Sequence, residues 1–374
     1  MKTIGTFSSP NRRPSLVVCA QVPPPVDGLA FASQKMVDAM MAAGVSISLF
    51  NMSGGGQKGA PFYFRRIWRS LRAAAGVVTT ASSQVRFVYM PVSAGLSLLF
   101  NIMIAACARI GGKRVILHHH SFSYVDAHDH MVALLLRVAG REAVHVVLCS
   151  CMRTKLERAY GKIENSIGLS SDFYSKPNVD TSADRIKRDR ATVVMGHLSN
   201  LSIEKGLDLC IDLHRALIRR GDAVKLMIGG PCLTADAEQI LRQAQSEFPE
   251  SLVYLGPLDE EGKDTFYRLI DIFLFPTRYR VEADPIVVSD AQAYGLPTIA
   301  FSRGCLGERI DDSVGIAIPP ESDFVQAVVN RVPEFSSLQE FANSCGHSAR
   351  MRHLELRSSA DIGFASLMEI LAAE

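Results

Sequence analysis

Two doubly wound α/β halves, each a parallel sheet wrapped by helices, are expected of these 374 residues. Short apolar runs, each the length of one strand, alternate with longer helix-patterned stretches along the chain. The alternation stops over the polar, charged segment 175–190 and then begins again. The length also suits two domains. The boundary is therefore placed at 180, giving 1–180 and a second domain from 181 to 355. Two such halves place a ligand in the cleft between them, at the carboxyl ends of the strands.

In the first half, strands are expected at 16–19, 46–50, 115–117 and 144–148, with a helix near 31–43 ended by Gly44. Residues 87–108 carry no charge, and a membrane span needs roughly 20 apolar residues. Pro91, Ser93, Gly95, Ser97 and Asn101 interrupt the run, so it reads as a buried strand at 87–90 and a buried helix at 96–108. In the second half, strands are expected at 193–195, 224–228, 252–254, 272–275 and 298–301. Residues 362–371 are apolar at helical spacing and read as a closing helix.

Composition narrows the function. A formal net charge of +2 excludes a strongly basic nucleic-acid binder and an acidic-tail protein. The eight cysteines are scattered without a Cys-x-x-Cys pair, so neither a disulfide scaffold nor a zinc site is expected, and reduced thiols in a cytosol fit best. The apolar run 15–20 is too short for a signal peptide, so secretion is not expected. No G-x-G-x-x-G fingerprint or G-x-x-x-x-G-K-[ST] loop is present, since Gly54-Gly55-Gly56 has the wrong spacing. No cofactor is expected.

The most informative stretch runs from 272 to 300. A strand ends at Pro276. Asp284 suits a helix N-cap and Pro285 its first turn. Gly295 suits the C′ position, followed by Pro297. The free N–H groups and positive dipole end of this ten-residue helix suit a phosphate. Glu282 lies just before the helix, and Asp290 about five residues into it, roughly 7–8 Å further on. Two carboxylates bracketing a helix N-terminus match sugar and ribose hydroxyls on either side of a diphosphate, the layout of a nucleotide sugar.

Glu282-x7-Asp290, followed by Ala-x-Ala-x-Gly-Leu-Pro, resembles the E-x7-E signature of retaining glycosyltransferases with two Rossmann-like domains, the GT-B fold, and family four in particular. The segment 195–206, ending Glu204-Lys205-Gly206, resembles that family's G-R-L-x-x-x-K-G. Gly229-Gly230-Pro231, Val253-Tyr254-Leu255-Gly256 and 311–320 agree in order. The resemblance covers 191–322 well and 16–160 loosely. It implies that Glu282 contacts the donor sugar, Asp290 the ribose and Lys205 the diphosphate. Asp290 is one methylene shorter than the usual Glu. Asn200 stands where the family has Arg, with Arg278 and Arg280 as candidate replacement cations. Ala283-Asp284-Pro285 stands where the family has Gly-Phe-Gly.

In the first half, Pro23-Pro24-Pro25-Val26-Asp27-Gly28 matches a family loop near the donor phosphates and acceptor, and Gly28 would let backbone N–H groups approach a ligand. A stiff structural turn is the other reading. His118-His119-His120 ends a strand. Strand alternation puts His118 and His120 on one side and His119 on the other, and by resemblance His120 lines the active site. A zinc site is the alternative, although three adjacent histidines on a strand cannot all face one metal. The aromatic and basic stretch 62–72 reads either as a membrane-surface helix or as a surface helix tucking its aromatics inward.

The resemblance implies a metal-independent, retaining hexosyltransferase. It would move sugar from a nucleotide-diphosphate donor to a hydroxyl of a sugar or lipid-linked sugar in bacterial polysaccharide or lipopolysaccharide assembly. Its place would be the cytoplasm or the inner membrane face, with the helix 356–374 crossing back to the first domain. The catalytic set is Glu282, His120 and Lys205. The donor set is Gly28, Asn200, Lys205, Arg278, Glu282, Ala283, Asp284 and Asp290, with no metal ligand. The rival readings are a sugar-nucleotide epimerase on the same fold, a non-catalytic nucleotide-sugar-binding subunit, and a nicotinamide dehydrogenase, which lacks its glycine fingerprint.

Overall fold

The computed structural model describes residues 14–24, 27–54, 60–80, 85–92, 94–176, 192–331 and 337–373. Most of the expected linker, and the Pro25, Val26, Gly55 and Gly56 positions, lie outside them. In chain order the first elements are β1 (Ser15–Ala20), α1 (Gly28–Ala42), β2 (Ser46–Asn51), α2 (Ala60–Thr79), β3 (Phe87–Val92), α3 (Ser97–Ile110), β4 (Arg114–His119), α4 (Ser123–Asp126), α5 (His130–Ala139), β5 (Val144–Val147), α6 (Ser150–Tyr160) and β6 (Asn165–Gly168). A 3-10 turn follows at Ser171–Tyr174. Then come β7 (Val193–Leu198), α7 (Leu207–Arg220), β8 (Val224–Gly229), α8 (Ala235–Glu247), β9 (Leu252–Tyr254), α9 (Glu260–Leu269), β10 (Ile272–Phe275), α10 (Ile286–Ala293), β11 (Thr298–Phe301), α11 (Leu306–Arg309), β12 (Gly315–Ile318), α12 (Phe324–Arg331) and α13 (Leu338–Ala373).

Two six-stranded sheets result, ordered β2-β1-β3-β4-β5-β6 and β12-β11-β10-β7-β8-β9. The pairs of β1 with β2 and β3, and of β7 with β8 and β10, are parallel. The chain divides into two compact units, Met1–His118 with His130–His145 and Phe364–Glu374, and His119–Asp129 with Val146–Gly363.

In the second unit, alternate residues of one strand enter two different cores. Ile272 and Leu274 join one cluster, while Phe273 and Phe275 join another. A parallel sheet covered on both faces has this property, and it explains why its strands read as unbroken apolar runs. Strand order reverses between β7 and β10, so the loops leaving these two strands diverge around a crevice.

The helix α1 begins three residues before its expected start, because the Asp27 carboxylate accepts from Ala30 N–H at 2.8 Å and caps it. Residues 87–108 split into β3 and α3, and among the described residues no helix is long and apolar enough to cross a membrane. The strands β6 and β12 were not anticipated. One expectation is corrected outright: Cys149 and Cys305 form a disulfide across 156 residues, so not all eight thiols are reduced.

Candidate functional site

The loops after β7 and β10 are sewn together where the sheet order reverses. Gly206 has φ +84°, and a Cβ there would lie 2.3 Å from Pro276 O. Only glycine lets the Lys205 loop lie directly on the end of β10. Arg278 completes the seam. Its N–H donates to Glu204 O at 2.7 Å. Its guanidinium donates to Ile203 O at 2.6 Å and to both Asp208 oxygens at 2.6 and 2.7 Å. Arg278 is thus engaged with the first turn of α7.

This seam brings Lys205 and Glu282 together across 77 residues, with Nζ 2.5 Å from Oε2. Thr277 Oγ1 donates to the same oxygen at 3.4 Å. The Tyr279 ring centroid lies 4.5 Å from Nζ, within cation–π reach. Both charged side chains are partly exposed, at 21% and 13%, so a ligand can compete for them. Asn200 is exposed in the same β7–α7 loop.

His197, which no sequence motif marks as functional, sits at the end of β7 with no exposed surface. Burial, with a lesser contribution from Lys205, lowers its imidazole to about 4 against the Leu274 carbonyl bond, so it is neutral at pH 7. Its Nδ1–H donates to Leu274 O at 2.9 Å, which leaves Nε2 to accept from Ser199 Oγ, also at 2.9 Å. One neutral ring therefore ties the start of the Lys205 loop to β10.

The helix after Glu282 departs from expectation at its start. Its cap is Pro285 and it spans eight residues, Ile286–Ala293, rather than ten. Asp284 does not cap it. Its carboxylate accepts from Ser171 N–H at 2.7 Å and from Arg309, with its side chain buried. Ala283 is buried and its carbonyl accepts from Cys305 N–H at 2.8 Å. Gly304, with φ +58°, permits that contact, because a Cβ would lie 2.3 Å from Ala283 O. Gly295 has φ 68° and occupies C′ as expected.

Asp290 is the fifth residue of α10 and is half-buried. Burial raises its carboxyl from 3.8 to about 7, with Lys263 opposing and Glu260 reinforcing. His120 follows β4, and burial lowers its ring to about 4, so it is uncharged at pH 7. Its neighbours differ in their partners: His118 Nδ1 meets Tyr89 Oη at 2.7 Å and His119 Nδ1 meets Tyr124 Oη at 3.0 Å. Gly28 is the exposed first residue of α1, and a Cβ there would meet nothing within 4 Å.

Residues 180–352 match the family described as glycosyl transferases group 1. O-antigen chain mannosyltransferase C of Escherichia coli is 28% identical over 275 residues, covering 65% of this chain and 71% of that protein. A GDP-mannose-dependent monoacylated alpha-(1-6)-phosphatidylinositol monomannoside mannosyltransferase of Corynebacterium glutamicum is 30% identical over 133 residues, 34% of each protein. The crystal structure of Anabaena HepE in complex with UDP shares the fold, with TM-score 0.67 and 17% identity over 94% of this chain and 99% of that one. With these likenesses, two parallel sheets and a Lys–Glu contact at the strand-order reversal, residues 180–352 carry the group 1 glycosyltransferase match within a chain of GT-B fold.

Proposed function

We propose that this glycosyltransferase is a retaining, metal-independent family-four enzyme. It moves mannose from GDP-mannose to a hydroxyl of a sugar or lipid-linked sugar in polysaccharide or lipopolysaccharide assembly. The observation that carries the reading is the Lys205–Glu282 contact at 2.5 Å, seated where the loops after β7 and β10 meet. The mannosyl donor is supported by the two relatives named as mannosyltransferases. A uridine donor is the second reading, favoured by the UDP complex of the structural neighbour.

In this reading 181–355 is the donor domain, and the acceptor side is 1–180 together with 356–374. Glu282 accepts hydrogen bonds from sugar hydroxyls and Asp290 from the ribose. Lys205 leaves Glu282 to face the diphosphate, where a fixed cation stabilises charge developing on the leaving group. The Asn200 loop, Ala283 and Gly28 offer backbone to the ligand, while Arg278 and Asp284 hold the loops in place. His120, being neutral, lines the sugar and acceptor side. The departing phosphate takes the acceptor proton.

Thermal shift with GDP, GDP-mannose, UDP and UDP-glucose, with and without Mg²⁺, tests the proposal. At 100 times its dissociation constant a ligand adds about 2.7 kcal/mol to the folded state. GDP-mannose is expected to stabilise the protein equally with and without the metal. A shift confined to the uridine pair would replace the donor, and no shift with any nucleotide would overturn the reading.

Membrane contact is proposed for α2. Phe64, Ile67, Trp68 and Leu71 form an i, i+3, i+4, i+7 stripe and are 74%, 48%, 63% and 51% exposed. Arg65 and Arg72 are exposed as well. Arg66 and Arg69 turn elsewhere, donating to Ser97 Oγ at 2.7 Å and Ser53 O at 2.5 Å. An outward apolar stripe with exposed cations suits the interface of an anionic bilayer on the inner membrane face. The protein is expected to co-sediment with anionic vesicles and far less with zwitterionic ones. Phe64→Ser with Trp68→Ser should reduce sedimentation at least about tenfold, since each buried aromatic contributes roughly 1.5–3 kcal/mol. Undiminished sedimentation would refute the contact.

A further inference from the structure

Arg309 lies at the end of α11 with 3% of its surface exposed. Its guanidinium touches both segments that carry the candidate acids. Nε and Nη2 donate to Asp284 at 3.1 Å each, two residues beyond Glu282. Nη1 donates to Gln292 Oε1 at 2.9 Å, two residues beyond Asp290. Nη1 and Nη2 also reach Asp172, at 3.1 and 2.5 Å.

Asp172 anchors the arginine in turn. It has no exposed surface and also accepts from His353 Nδ1 at 2.8 Å and Ser170 Oγ at 2.9 Å. Burial alone would raise its carboxyl, but the Arg309 charge and the His353 bond outweigh that and hold it well below the usual range. Ser171 repeats the pattern in smaller form. Its N–H donates to Asp284 at 2.7 Å and its Oγ meets Ser289 Oγ at 2.5 Å, next to Asp290. Every one of these contacts lies within the second compact unit.

We infer that Arg309 is a positioning residue for sugar transfer: it fixes the separation of Glu282 and Asp290 by gripping the residue two places beyond each. The inference rests on the donor-site reading above. A planar fork with five N–H donors can hold Asp284, Gln292 and Asp172 at once, whereas a lysine supplies one compact charge without that geometry. The buried Asp284 occupies the place where the resembled family has Phe, so no large apolar side chain anchors the loop there. The fork compensates by immobilising the loop through its side chain.

The test uses the full chain with Arg309→Lys and Asp284→Asn, and with Glu282→Ala in parallel. Far-UV circular dichroism reports folding. Dissociation constants for GDP and GDP-mannose, or for the pair the thermal shift selects, and kcat are measured for each. The readout is the affinity gained from the sugar, which a general loosening of the fold would not remove selectively.

Both positioning variants are expected to lose about tenfold or more of the sugar-dependent gain and about 10²-fold in kcat, with the nucleoside diphosphate affinity falling by no more than the roughly tenfold expected of Asp290→Asn. If Arg309→Lys does not fold, the isosteric Asp284→Asn carries the test. A folded variant that keeps both kcat and the gain, while Glu282→Ala loses them, overturns the inference and leaves the donor-site reading standing. Equal weakening for nucleotide and nucleotide sugar also overturns it. A Glu282→Ala protein that keeps the gain overturns the donor-site reading itself.

Discussion

Glu282→Ala lowers kcat by roughly 10²–10³-fold while leaving nucleoside diphosphate affinity unchanged or tighter, because the carboxylate acts on the sugar and not on the phosphates. The asymmetry follows from the Lys205 contact. In the ligand-free protein Lys205 Nζ is spent on Glu282 Oε2 at 2.5 Å, and a diphosphate must compete for it. Removing the carboxylate frees the cation before the ligand arrives. Turnover suffers because the sugar loses the acceptor that orients it, and binding energy realised only in the transition state is what raises kcat. Glu282→Gln keeps an acceptor oxygen and should fall between the two. Steady-state kinetics with calorimetric titration of the nucleoside diphosphate separates the effects. Wild-type turnover in the alanine variant would refute the role of Glu282, and a loss of nucleotide affinity matching the loss of kcat would assign it to the phosphates.

The residues legible in the sequence are those whose cause is local. The strands β10 and β11 were read to the residue because both faces of that sheet are buried and the runs are unbroken apolar. The strand β6 was missed because Asn165-Ser166-Ile167-Gly168 offers one large apolar residue, at the edge of its sheet. Lys205-Gly206 was legible only through the resemblance to the family's K-G, and the structure supplies its physical cause, a left-handed glycine against the Pro276 carbonyl.

The buried cluster was not legible. Asp172 meets Arg309 across 137 residues and His353 across 181, and no spacing rule connects them. The Cys149–Cys305 pair, 156 apart, left no pattern for the same reason. In α2 the aromatic and basic composition was visible but not the direction in which the aromatics face. Small residues, Ser70, Ala73, Ala74 and Val77, face inward, and the large aromatics of the opposite stripe face out. A helix that buries its small residues against a neighbour inverts the usual rule that the bulkiest stripe is the core.

Asp290→Asn is expected to stabilise the protein and weaken its nucleotide at once. The carboxyl is raised from 3.8 to about 7, chiefly by burial. The folded chain therefore holds this proton where the unfolded chain has released it. Between pH 3.8 and about 7 the folded state binds more protons, so stability falls as pH rises through that window and is lowest above it. An amide carries no charge to desolvate. Near pH 4 the variant and the wild type should unfold alike, and at pH 8 the variant should be more stable. The full shift is worth about 4 kcal/mol at 1.36 kcal/mol per unit, and solvent reaching a half-buried group reduces that to on the order of 2 kcal/mol. Binding moves the other way. Two ribose hydroxyls can both donate to a carboxylate, but an amide offers one acceptor oxygen, so the nucleotide should lose roughly 10-fold in affinity at pH 8. A residue that costs the fold stability and repays it only when ligand is present is explained by the ligand. Urea unfolding at pH 4 and pH 8, with nucleotide titration at pH 8, decides it. A variant no more stable at pH 8 than the wild type would remove the burial argument, and unchanged nucleotide affinity would remove Asp290 from the donor site.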